Sequence, residues 1–401
     1  TATGVLRLRW DIVQEQTYAN LRVWDGIANG YVEADSISVA NGLISAVGRR
    51  DPKARDMSGL TVIPGLMDAH VHMTLDPEIP SAEEQLRQKA PEIREKMLGR
   101  AERMVRAGLT TARDLGGGEW LELELRDRIN RGEIVGPRLL CAGQPVTSIA
   151  GHCHFWGGES ADTSDAFQVI DRQRKHEVDL IKIMATGGNL TRGSSPGAAQ
   201  FSRDETCKIV AYAKTAGYQV AAHCHGTEGI GNAAAAGVTT VEHCSWLAKD
   251  GSRQDYDPEI AAEMAAQGVW VSPTVNAGWA RFRGGDGKFE ARISKNFEGL
   301  KRAGVRLVAS TDAGIPNVRH EDLAKALPVF SHYAGLSPFE VLRSATSEAA
   351  RALAIADIAG TIAPGLAADL VFLEGDPLHD LACIQQPALV MVRGREIEAT
   401  E

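Results

Sequence analysis

No apolar run in this 401-residue chain approaches the roughly 18 residues that a helix needs to span a bilayer, which argues against a transmembrane helix. Positive charge is also in short supply. Lys and Arg number 43 against 52 Asp and Glu, a formal net charge of −9, so neither nucleic acid nor an anionic membrane surface is an expected partner. The six cysteines (Cys141, Cys153, Cys207, Cys224, Cys244, Cys383) include no Cys-x-x-Cys pair. That spacing excludes a cysteine-based zinc site and makes a reduced, cytoplasmic setting the expectation. Thr1 to Trp10 has no apolar signal-peptide core, although the chain does not open on Met and a removed leader stays open. There is no tandem repeat and no low-complexity tract. Arg100, Arg103 and Arg106 sit among acids at helical spacing, which predicts a solvated helix face.

What is present falls into two styles. From Leu6 to Val62, short alternating segments such as Leu43-Ile44-Ser45-Ala46-Val47 are broken by glycine, and Asn41-Gly42 is a tight-hairpin signal. Asp369 to Leu373 and Leu389 to Gly394 repeat the style, so both ends are expected to build one small β-sandwich domain, residues 1–63 plus 360–401. Between them, eight apolar runs (Thr61 to Asp68, Thr110 to Asp114, Arg138 to Ala142, Leu180 to Met184, Gln219 to Ala222, Thr239 to Val241, Val269 to Ser272, Arg306 to Ser310) alternate with amphipathic stretches such as Ala82 to Ala107. Eight strands alternating with helices predict an α/β fold, a (β/α)8 TIM barrel over residues 64–359.

Histidines gather where such a barrel does chemistry. His70 and His72 end the first strand as His-x-His, and residues two apart in a strand share a face, so both imidazoles can reach one ion. His223 ends the fifth strand, His243 the sixth and Asp312 the eighth. Imidazole plus carboxylate suits zinc, manganese or iron in a hydrolytic site. Lys182 lies inside the apolar run Leu180-Ile181-Lys182-Ile183-Met184, where an ammonium is costly to bury. Two readings stand: a lysine paired with a buried acid, or a neutral amine carboxylated by carbon dioxide to an anion that bridges two cations.

Pro64-Gly65-Leu66-Met67-Asp68-Ala69-His70-Val71-His72 resembles the first-strand motif of the amidohydrolase superfamily, and Thr311-Asp312-Ala313-Gly314 its eighth-strand aspartate. Ile181 to Gly188, Ala222-His223-Cys224-His225-Gly226 and Val241-Glu242-His243 are similar to the imidazolonepropionase-related, prolidase-like branch. The resemblance implies two divalent ions, zinc foremost: His70, His72 and Asp312 on the more buried one, His223 and His243 on the second, and carboxylated Lys182 between them. It implies hydrolysis of an amide or peptide-like C–N bond, of dipeptide or N-acyl amino acid type, by a metal-activated hydroxide.

On that reading Asp312 is also the proton shuttle, and His152, in the loop after the third strand, donates to the oxyanion. His225 is expected at the substrate rather than the metal. Arg192, in the Gly/Ser-rich loop, grips a substrate carboxylate or is simply an exposed arginine. Trp156, Trp246 and Trp279 wall an apolar pocket or pack in the core. Cys224 and Cys244 are expected to face away from the site. The ligand is a small molecule and the enzyme a homo-oligomer. The alternatives are an aryl amide, carbamate or urea hydrolase on the same site, a mononuclear deaminase that has no need of Lys182, and a catalytically dead assembly protein. The last would be expected to lose ligands, yet all six positions are filled.

Overall fold

The computed structural model describes residues 15–285 and 287–398, so Thr1 to Trp10 lie outside the described residues. Eight strands overlap the eight apolar runs: β1 Leu66–Val71, β2 Leu109–Asp114, β3 Arg138–Cys141, β4 Ile181–Met184, β5 Val220–Gly226, β6 Thr240–Leu247, β7 Trp270–Ser272 and β8 Arg306–Leu307. β1 to β3 pair in order in one parallel sheet, and β4 to β8 in order in another. Both seams are bridged. Val71 pairs with Ala313 just past β8, and Val146, past β3, pairs with Ile183 of β4. Every residue of β1, β2 and β4 is buried, as in parallel strands covered on both faces, which is why they read as continuous runs rather than alternations.

The covering helices start on clear local signals. Ser202 and Glu205 form a reciprocal capping box ahead of Arg203–Thr215. The Asp257 side chain caps Pro258–Ala266, whose first-turn proline has no N–H to leave unsatisfied. Among the described residues, no helix is long and apolar enough to cross a membrane.

Three expectations are corrected. The stretch Ala82 to Ala107 is not one helix but Ala82–Gln85 followed by Ala90–Arg106, because Pro91 fits only in a first turn. Arg100 is not on a solvated face: it is 2% exposed, donates to Met73 O at 2.7 Å and pairs with Asp76 at 3.3 Å, pinning the loop that leaves β1. The run Thr61 to Asp68 spans two strands. Leu60–Pro64 pairs antiparallel with Leu370–Glu374, and β1 begins only at Leu66. Gly65 makes the crossing, since a Cβ there would lie 2.1 Å from Thr110 Oγ1.

Strands from before and after the parallel sheets pair with one another. Gln16–Ala19, Ser36–Ala40, Leu43–Val47 and Arg55–Asp56 form one sheet, with Asn41 (φ 53°) and Gly42 (φ 78°) in the predicted hairpin turn. Arg22–Val23, Leu60–Pro64, Leu370–Glu374, Leu389–Val392 and Arg395–Glu398 form the other. Ile37, Ile44, Val62, Leu370 and Phe372 share one buried core between them. Each such side chain contributes about 1.5–3 kcal/mol by leaving water.

Candidate metal centre

Because β1 to β8 run parallel, their C-terminal ends share one rim, and the side chains there converge. His70 Nε2 stands 3.3 Å from His72 Nε2 and 3.3 Å from Asp312 Oδ1, and His72 Nε2 is 3.5 Å from the same oxygen. The opposite ring nitrogens are engaged by acceptors: His70 Nδ1 by Glu242 Oε2 at 2.9 Å, and His72 Nδ1 by Gly116 O at 3.0 Å. A carbonyl or carboxylate oxygen there calls for Nδ1–H on each ring, which leaves both Nε2 lone pairs aimed at each other and at a carboxylate. Three electron-rich atoms crowd one point with no proton among them. Edges of 3.3–3.5 Å are those of a tetrahedron with a centre about 2.1 Å from each corner, the zinc–ligand distance. The donor set therefore fits a cation.

Burial favours the neutral rings that ligation needs. It pulls His70 down to about 4 and His225 down to about 4, and lowers His223 and His243 well below the usual histidine range, neighbouring histidines adding to the effect on the last two. For Asp312, burial alone raises the carboxyl, but His70, His72 and Lys182 outweigh it and hold the group below the ordinary carboxylate range. Asp312 (φ 63°) and His243 (φ 66°) both sit in left-handed backbone, a strained geometry that recurs at functional sites.

A second group lies alongside. One ring nitrogen each of His223, His225 and His243 falls within 4.8 Å of the others. One ring nitrogen of each is engaged, by Gly187 O (3.0 Å), Ser245 Oγ (2.8 Å) and Thr274 Oγ1 (2.8 Å) respectively. His225, expected only at the substrate, thus stands within ligating reach of the same point. The His70 and His243 rings are 5.2 Å apart, so the two groups adjoin. Lys182 opens onto the same cavity, 1% exposed. Among the described residues its Nζ makes no hydrogen bond or ion pair within contact distance, while the buried Glu242 and Asp312 carboxylates favour its charged form and partly offset burial. Burial brings its pKa down to about 8.

The cavity in front of these groups measures about 900 Å³. His152 lines it, its ring tilted over His223 at 4.5 Å and its Nδ1 buried with no hydrogen-bond partner among the described residues. Gly188 leaves room for that ring, since a Cβ there would sit 2.4 Å from His152 Nε2. Trp156 and Trp279 line the cavity, whereas Trp246 is fully buried in the main core. Cys224 and Cys244 pack in that core too, Cys244 because the left-handed backbone at His243 and Cys244 interrupts the alternation of β6. Arg192 reaches only the rim: its side chain is 95% exposed, 4.0 Å from Glu83. The run His225-Gly226-Thr227-Glu228 has the His-x-x-Glu spacing of a deaminase, but Glu228 is half exposed and pairs with Lys249 at 3.8 Å.

Sequence reasoning missed the supports. Asp68 accepts from His70 N (3.0 Å) and Thr311 Oγ1 (2.6 Å), tying β1 to the segment that carries Asp312. Its parity with His70 and His72 was the available signal. Glu242 and Arg113 lie beneath His70, 2.8 Å apart and buried. Arg113 interrupts an apolar strand just as Lys182 does, so the same cost argument could have found it.

A model of the amidohydrolase family matches residues 61–397. The chain belongs to the amidohydrolase family. It is 27% identical over 325 residues to the ochratoxinase of Aspergillus niger, covering 71% of this chain and 63% of that protein's length. An imidazolonepropionase of Rhizobium rhizogenes is 23% identical over 391 residues, 88% of this chain and 90% of that one. A crystal structure of a Xaa-Pro dipeptidase with methionine bound in its active site superimposes with a TM-score of 0.85 at 27% identity, covering 96% of this chain and 100% of the other.

Proposed function

We propose that this amidohydrolase-family chain hydrolyses an amide or peptide-like C–N bond at a centre of two divalent ions, zinc foremost, in a closed (β/α)8 barrel. The described residues of the stretches 1–63 and 360–401 form the accompanying β-sandwich unit. The observation that carries the reading is the convergence of His70 Nε2, His72 Nε2 and Asp312 Oδ1 with no proton between them. His70, His72 and Asp312 would hold one ion and His223 and His243 the second, and Lys182, as a carbamate, would serve both. The Lys182 ammonium loses one proton, and the neutral amine then adds to carbon dioxide and loses a second, so that a costly buried cation would become an anion that the two cations stabilise. With the carbamate completing that set, His225 is left to face the substrate. The bound ions supply an acidified water and a polarised carbonyl.

The residues do the rest. Asp312 accepts the proton of the attacking water and delivers it to the leaving nitrogen. His152, neutral because burial pushes it down to about 3, donates to the developing oxyanion.

Phe155, Trp156, Met184, Leu190 and Ile315 form one apolar cluster along the cavity, and Trp279 also lines it. That wall supports an amide with a large apolar or aromatic flank, such as an aryl amide, carbamate or urea. Arg192 at the rim favours a second reading, in which an N-acyl amino acid or dipeptide extends its carboxylate outward. Both fit relatives named ochratoxinase and Xaa-Pro dipeptidase. A panel of aryl amides, carbamates, N-acyl amino acids and dipeptides, assayed with zinc-loaded protein, separates them. The first reading expects the highest kcat/KM on amides with an aromatic flank, and less than about a twofold change in KM for Arg192→Ala. A rise in KM on the order of tenfold, confined to carboxylate-bearing substrates, favours the second. No hydrolysis of any member would defeat both.

A further inference from the structure

His70 and His72 are held by unlike partners. His72 Nδ1 faces a backbone carbonyl, but His70 Nδ1 faces a side-chain carboxylate that belongs to a network of its own. Glu242 Oε2 takes the His70 contact at 2.9 Å, and Glu242 Oε1 accepts from Arg113 Nη2 at 2.8 Å and Thr240 Oγ1 at 2.5 Å. Arg113 Nη1 reaches Thr240 Oγ1 at 3.0 Å, and Arg113 Nε donates at 2.7 Å to the carbonyl of Ala69, the residue just before His70. Glu242 is fully buried and Arg113 is 2% exposed. The network ties β1, β2 and β6 together beneath one imidazole.

Alternation along β6 puts Glu242 and His243 on opposite faces, yet both serve the site. Glu242 points inward with Thr240, and the left-handed backbone at His243 (φ 66°) returns that side chain to the mouth. A buried ion pair is a poor way to gain stability. Here its geometry does something an apolar pair could not, because each member also grips His70 or the backbone next to it.

Resting on the metal reading above, we infer that Glu242, clamped by Arg113, is a positioning residue that fixes His70 with its proton on Nδ1 and its Nε2 lone pair on the cation, and so sets the affinity of one of the two ion sites. A carboxylate behind a ligating histidine orients the ring and raises its basicity, and removing such a partner typically weakens metal binding about 10- to 100-fold. Glutamine cannot replace Glu242, since it offers one acceptor where His70 and Arg113 each need one.

The test is zinc release from the full-length, zinc-loaded protein to a competing chelator, resolved into its two steps. Glu242→Gln is expected to weaken one step by about 10- to 100-fold and leave the other within about twofold. If that variant does not fold, Glu242→Asp is read instead. It keeps the charge that Arg113 needs, withdraws from His70, and should show the same one-step loss. Native affinity for both ions, or both steps weakened in proportion, overturns the inference and leaves the metal reading standing. Native protein that binds no zinc defeats both.

Discussion

Asparagine at position 312 should lower kcat by a factor on the order of 10² to 10⁴ in protein that still holds both ions, the usual range for a lost general acid–base. One ring nitrogen each of His70, His72, His223, His243 and His225 is engaged by Glu242, Gly116, Gly187, Thr274 and Ser245 respectively, and on the proposed reading the other would serve an ion or, at His225, the substrate. Asp312 alone combines a position among the ligands with an oxygen that can take and return a proton. Asparagine keeps a ligating oxygen and loses the proton site. His225→Ala should act mainly on KM, because its substrate contact is present in ground and transition states alike. Metal content has to be measured on each variant, since lost metal would masquerade as lost catalysis. Near-normal kcat in metal-replete Asp312→Asn would remove Asp312 from the shuttle role and leave His152 as the next candidate.

The second large effect is expected at Lys182. Lys182→Ala should lose one of the two ions and most activity, and short carboxylic acids should restore part of both. Alanine removes the chain beyond Cβ and so leaves space in a fully walled strand, where a small carboxylate can offer the same pair of oxygens. Strand packing itself should tolerate the change, because β4 keeps Ile181, Ile183 and Met184 in the core. A metal-replete, bicarbonate-treated crystal with an unmodified ammonium at Lys182 would contradict the carbamate.

How far this was legible in the sequence follows from which interactions are local. The strand runs were readable because parallel strands buried on both faces are uninterrupted apolar segments, and the histidines stood out by ending them. Gly65 hid a change of sheet, since nothing in Thr61 to Asp68 signals that Thr110 approaches so closely. Arg100 looked like one of three surface arginines, because its partners Met73 and Asp76 come from the β1 exit loop. Glu242 escaped notice for a backbone reason. Strict alternation assigns only one of two adjacent residues to the site, and the φ of His243 breaks that rule. The proximity of His225 to the second group is likewise a matter of three-dimensional convergence, invisible to spacing alone.

Amide hydrolysis is expected to depend on cations bound at this site, so the decisive measurement is a zinc titration of the chelator-stripped full chain with hydrolysis of a responsive amide followed in parallel. Six ligand positions exceed what one tetrahedral ion uses. Binding should therefore saturate at about two ions per chain, with activity rising as they bind and vanishing on re-chelation. Saturation at about one ion would reduce the centre to a mononuclear one. Protein that binds no divalent ion after reconstitution, or that hydrolyses the amide equally well when stripped, would contradict the account at its root.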